Sequence, residues 1–153
     1  DGTIVRVVCG EFWGRRGPVD GIAAEPRYLD VWVPPGTRMV LRVETNRHAF
    51  AYVFEGSGSF RDASAPQEVR TERVTEGSEV RLEEAGNRSL VLFDSGDEIK
   101  VRAGDEGIRF LFVSGKPLKE PVAWRGPIVM NTEAELRQAF SDFERGRFGV
   151  PAD

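Results

Sequence analysis

The feature that most constrains this chain is a series of short apolar runs that alternate residue by residue and are separated by glycine and proline. Period-two alternation puts every second side chain on one face, so such runs fold as half-buried strands rather than helices. The clearest is 28–33, with Leu29, Val31 and Val33 on one face and Tyr28, Asp30 and Trp32 on the other. Residues 3–8 form an earlier run, 39–44 group Met39, Leu41 and Val43, and 49–55 group Phe50, Tyr52 and Phe54. Val80 with Leu82, then 90–93, then Ile99 with Val101, then 108–113 complete about eight runs, the spacing of an all-β sandwich or barrel.

The punctuation agrees. Pro34-Pro35-Gly36 stops one run, and 95–97 and 104–107 read as turns between later ones. Residues 61–79 are polar and contain Pro66, which marks a long insertion, and 68–74 within it read as a charged edge strand. The end of the chain changes period. Thr132 and Glu135 form a capping box, in which the hydroxyl and the carboxylate each satisfy a free backbone N–H. Leu136, Ala139, Phe140 and Phe143 then make one apolar stripe, and Gly146 supplies a left-handed stop. This predicts a helix over about 133–145 with both Phe140 and Phe143 buried.

Composition narrows the function. The 153 residues make one domain's worth of chain, 30% charged, with a net charge of −4, which argues against a basic nucleic-acid footprint. No apolar run approaches the roughly 20 residues of a membrane helix. No signal peptide is read, so the expected setting is cytoplasmic, away from membranes. The chain opens on Asp1, which reads as processing or as a piece of something longer. A single cysteine, Cys9, excludes an internal disulfide, and a single histidine, His48, excludes any site needing two. Cys9 reads as a small buried strand residue, and Trp13 and Trp124 as packing residues. Arg15-Arg16, in a glycine-rich loop, reads as either a solvated turn or a weak anion site.

The stretch 115–132, with Gly-Pro-Ile-Val-Met-Asn-Thr at 126–132, resembles the C-terminal signature of the pirin family. So do GEFWGRRGPV at 10–19, YLDVWVPPG at 28–36 and Gly146-Arg147-Phe148-Gly149; the resemblance is weak from 61 to 88. It implies a cupin-like jelly-roll barrel or sandwich with one C-terminal helix. The expected layout is a barrel over 1–130 and a helix with tail over 131–153, packed on the barrel or on a partner domain.

Pirins are two-cupin proteins whose N-terminal cupin holds iron through three histidines and a glutamate. The family is linked to quercetin 2,3-dioxygenase activity and to transcriptional co-regulation. The resemblance implies that this chain is the second, metal-free half, with iron only in the first. If Tyr52-Val53-Phe54-Glu55-Gly56 anchors the first cupin motif, its two histidine positions fall on Arg42 and Glu44, and its glutamate position near His48. The second motif keeps the turn at Gly96 but puts Ile99 at its histidine position. Guanidinium stays protonated and cannot ligate, so His48 and Glu44, with Glu55 or Asp97, would hold a divalent ion only weakly.

Arg42, Glu44 and His48, with Trp32, are therefore read as candidate ligand-binding residues at the barrel mouth, where an Arg42–Glu44 pair would fill the metal's place. No catalytic residue is assigned. Expected partners are the N-terminal cupin of the same protein or a second copy of the chain, besides a protein partner, with no direct nucleic-acid contact. The alternative is a stand-alone binding module for a small ligand or a protein.

Overall fold

The computed structural model describes residues 2–61, 67–68, 84–94 and 96–149. The Val80–Leu82 run and most of the proposed 68–74 strand lie outside the described residues. The chain divides into two compact units, Asp1–Pro117 and Leu118–Asp153.

The described elements of the first unit are strands: β1 (Ile4–Cys9), β2 (Glu11–Phe12), β3 (Arg15–Arg16), β4 (Arg27–Val33), β5 (Arg38–Arg42), β6 (His48–Arg61), β7 (Gln67–Glu68), β8 (Ser89–Phe93) and β9 (Glu98–Gly115). Seven of them form one antiparallel sheet in the order β1-β4-β9-β6-β8-β7, with β5 also on β9. β2 and β3 make a separate hairpin.

One expectation is corrected. Residues 104–107 are not a turn between two strands but the middle of the single long strand β9. Gly56 and Gly107 both have positive φ, and a Cβ on Gly56 would stand 2.1 Å from the Gly107 carbonyl oxygen. Only glycine permits that approach. The register of β6 against β9 shifts between Val53 and Gly58, so the two strands bend together. One half of β9 then pairs with β5 and the other half with β4.

The alternation read from the sequence sets what is inside. Leu29, Val31, Val33, Val53, Val91, Ile108 and Phe110 are fully buried in one core. Each contributes about 1.5–3 kcal/mol of transfer free energy.

The second unit holds β10 (Ala123–Arg125), β11 (Ile128–Met130) and α1 (Glu133–Glu144), which is the α-helix of the described residues. The capping box forms as expected: Glu135 N–H donates to Thr132 Oγ1 at 3.2 Å, and Thr132 N–H donates to Glu135 Oε2 at 2.9 Å. At the far end Gly146 N–H donates to the Phe143 carbonyl and Arg147 N–H to that of Asp142, a Schellman closure with Gly146 at φ 68°. Leu136 and Ala139 are buried with Ala123 and Ile128, and Phe140 is half-buried against them. Phe143 is a correction: it is 62% exposed and meets the edge of Phe148, 6.4 Å between ring centres. The three-residue strands of the hairpin are shorter than the helix, and the stripe runs past them. No helix among the described residues is long and apolar enough to cross a membrane.

Candidate functional site

Along β5 and the residues that follow it, Met39, Leu41 and Val43 point into the core, whereas Val40, Arg42 and Glu44 stand on the outer face. The expectation that Arg42 and Glu44 occupy the interior metal position, joined as a pair, is therefore corrected. Both instead line an outer cleft of about 860 Å3 in the first unit, together with Phe12, Trp13, Ile22 and Glu98.

Two arginines hold the walls of this cleft. Arg27, on the first residue of β4, donates from Nε to the Glu11 carbonyl (2.9 Å), from Nη1 to the Arg42 carbonyl (3.2 Å) and from Nη2 to Glu44 Oε1 (3.1 Å). It thereby ties the β2–β3 hairpin to the end of β5. Arg47 Nη1 donates to the Glu25 carbonyl. Arg47 Nε lies 2.7 Å from Glu44 Oε2, off the N–H direction, so that contact is charge against charge. Glu25 also meets Lys116 Nζ at 2.6 Å, and this hydrogen bond holds its carboxyl below the ordinary carboxylate range. Planar guanidinium with several donors suits such multi-point bracing, where an ammonium would not.

Trp13, at φ 48°, is 72% exposed and stacks on Phe12 with ring centres 4.6 Å apart. The rim thus carries an aromatic plate beside charged groups, and the volume suits a small organic ligand. Arg16 lines the same cleft from an exposed hairpin strand. Cys9 is buried as expected, at the cleft floor.

Of the four expected residues, then, the cleft gathers Arg42 and Glu44 but is not lined by His48 or Trp32. His48 is the exposed first residue of β6, opposite Gly115. Trp32 lies half-buried on β4, so close to Gly107 that a Cβ there would come within 2.5 Å of the indole ring. It neighbours a second charged cluster. Arg109 grips Asp30 with two hydrogen bonds, 2.9 and 2.7 Å, and Arg6 adds a third at 3.1 Å. The Arg109 bonds above all hold the Asp30 carboxyl low and raise the guanidinium in turn. Sequence reasoning missed Arg27, Arg47 and Arg109. Only Glu44 and Arg47, three apart in one tight turn, left a local trace.

The interior does not fit a metal ion. Ile99 stands there at 5% exposed, among Leu41, Val101 and Phe112, and the buried polar residues among those described are Ser89 and Ser114. No cluster of three or more histidine, cysteine or carboxylate side chains exists among the described residues. A hydrocarbon interior offers a hard or borderline cation no ligand to replace its water.

A bent antiparallel barrel with an apolar interior and an outer charged cleft defines a cupin-type domain. A family model described as the pirin C-terminal cupin domain matches residues 28–149. A pirin-like protein of Caulobacter vibrioides is 36% identical over 96% of this chain and 46% of its own length. A putative quercetin 2,3-dioxygenase of Pseudomonas aeruginosa is 33% identical over 97% of the chain and 47% of its length. The crystal structure of a quercetin 2,3-dioxygenase from Acinetobacter baumannii superposes with a TM-score of 0.75 at 27% identity, over 97% of this chain and 44% of that one. The chain belongs to the pirin C-terminal cupin family. It spans about half the length of the curated relatives it matches.

Proposed function

We propose that this chain is the metal-free half of a two-cupin protein, supporting an iron-binding N-terminal cupin. The observation that carries this reading is the interior, closed by Ile99, Leu41 and Phe112 where a metal cupin needs imidazole and carboxylate. On this reading any oxygenation of a flavonol, the activity named for the relatives, occurs in the other half, in a cytoplasmic protein. This half supplies a rigid face and a surface for a regulatory protein partner. The reading is tested by loading the 153-residue chain and the intact two-cupin protein with Fe2+ and removing loosely held metal. The chain should retain far less than stoichiometric iron and turn over no flavonol, and the intact protein should do both. Stoichiometric iron in the chain, lost on His48→Ala, would overturn it.

The outer cleft favours a second reading, a binding module for a small ligand placed between Arg42, Glu44 and Trp13. A natural gene encoding no further cupin would favour this reading over the first.

A further inference from the structure

The register of β5, β9 and β6 assembles a cluster of cations that no run of the sequence displays. Arg38 stands opposite Arg102, Val40 opposite Lys100 and Arg42 opposite Glu98. On the other edge of β9, Ser59 stands opposite Arg102 and Arg61 opposite Lys100. Met39, Leu41, Ile99 and Val101 point into the core, so all these partners share the outer face. Among the described residues, the register thus sets Arg38, Arg42, Arg61, Lys100 and Arg102 around one acid, in a chain whose net charge is −4.

That acid is engaged: Glu98 Oε1 lies 2.5 Å from Lys100 Nζ. Among the described residues Arg38 and Arg102 have no carboxylate partner. Like charges placed directly across a ladder work against the sheet. Cations often guard sheet edges against stray pairing. Arg102 cannot have that role, because β9 is paired on both sides. Around these side chains is a depression of about 440 Å3 with Val40 forming part of its wall. That is the size of a small-molecule site. Three strands make it only about 10 Å wide, too short for the run of phosphates that gives a polynucleotide its affinity.

We propose that this face binds a small phosphorylated molecule, with phosphate seated between Arg38 and Arg102 and with Lys100 and Ser59 at the rim. Guanidinium forks match phosphate oxygens two at a time, and an anion between the two forks turns their repulsion into attraction. The organic part lies along Val40, which is 48% exposed.

The test is calorimetric titration of the 153-residue chain with pyrophosphate, with a nucleoside triphosphate and with the bare nucleoside, at low and high salt. Both phosphorylated probes should bind saturably, more weakly in high salt, and the bare nucleoside should not bind. Arg38→Gln and Arg102→Gln should each weaken binding roughly tenfold or more, and Arg137→Gln on the helix should not. Melting gives a second readout that misfolding would not mimic. Without anion, Arg38→Gln should melt higher than the wild type, because a repulsion is gone, and it should lose the wild type's rise on adding pyrophosphate. Absence of saturable binding, equal weakening by Arg137→Gln, or undiminished binding in both site variants would overturn the proposal.

Discussion

Asp30 shows how one side chain on the outer face can organise three strands. Its carboxylate, 15% exposed, receives Arg109 from β9 and Arg6 from β1, and Arg109 reaches on to Glu55 at 3.4 Å on β6. Arg109 also lies 5.1 Å from the centre of the Phe54 ring. The Arg109 hydrogen bonds hold Asp30 below its ordinary value near 3.8. A carboxyl lowered in the folded state stabilises fully above its unfolded value, and that contribution disappears as pH falls through the folded one. Asp30→Asn should therefore cost about 1–3 kcal/mol at neutral pH. Its melting curve should converge on the wild type's in the acid range. A gap that stays constant with pH would mean that packing, not charge, is at stake.

Among the elements, α1 was legible because its signals are local. The capping box, the stripe and the glycine stop all lie within one short stretch, and each forms where the spacing puts it. The extent of burial was not legible, because it depends on how far the β10–β11 hairpin reaches, and that leaves Phe143 exposed. The two halves of β9 read as separate strands for a related reason. Glycine at 104 and 107 marks a turn and a bend with the same letters, and only the partner glycines on β6 distinguish them. The candidate site was half-legible: alternation set Arg42 and Glu44 on the face opposite Met39, Leu41 and Val43, but the motif alignment put them in the metal's place, and Arg27 reached them from a distant strand. The helix supplies a paired prediction. Leu136→Ala, at a position 3% exposed, should cost about 2–5 kcal/mol. Phe143→Ala should stay within about 0.5 kcal/mol in the 153-residue chain. Thermal melts followed by helicity compare them, and a large loss at Phe143 would show that something covers it in solution.

At the scale of the molecule, the outer face of the large sheet carries its own apolar row. Phe50 stands opposite Leu92 and Val113, and Val113 opposite Tyr28. Phe50 is 37% exposed and Leu92 45%. The proposed two-cupin arrangement offers an occupant for this row in the half that this chain does not span. Phe50→Ser should leave the melting temperature of the chain nearly unchanged but weaken its association with a separately prepared N-terminal cupin, read by sedimentation. Equal association would remove this face from consideration, and loss of self-association alone would assign it to a second copy of the chain. The long bent strand β9 also has a consequence in time. β4, β5 and β6 all hydrogen-bond to it, yet it begins only at Glu98. During synthesis three strands leave the ribosome before their common partner exists, and pairings this distant in sequence form slowly. A chain released short of that residue holds the outer pieces of a sheet without its middle, which leaves unsatisfied edges for a chaperone or a protease to find.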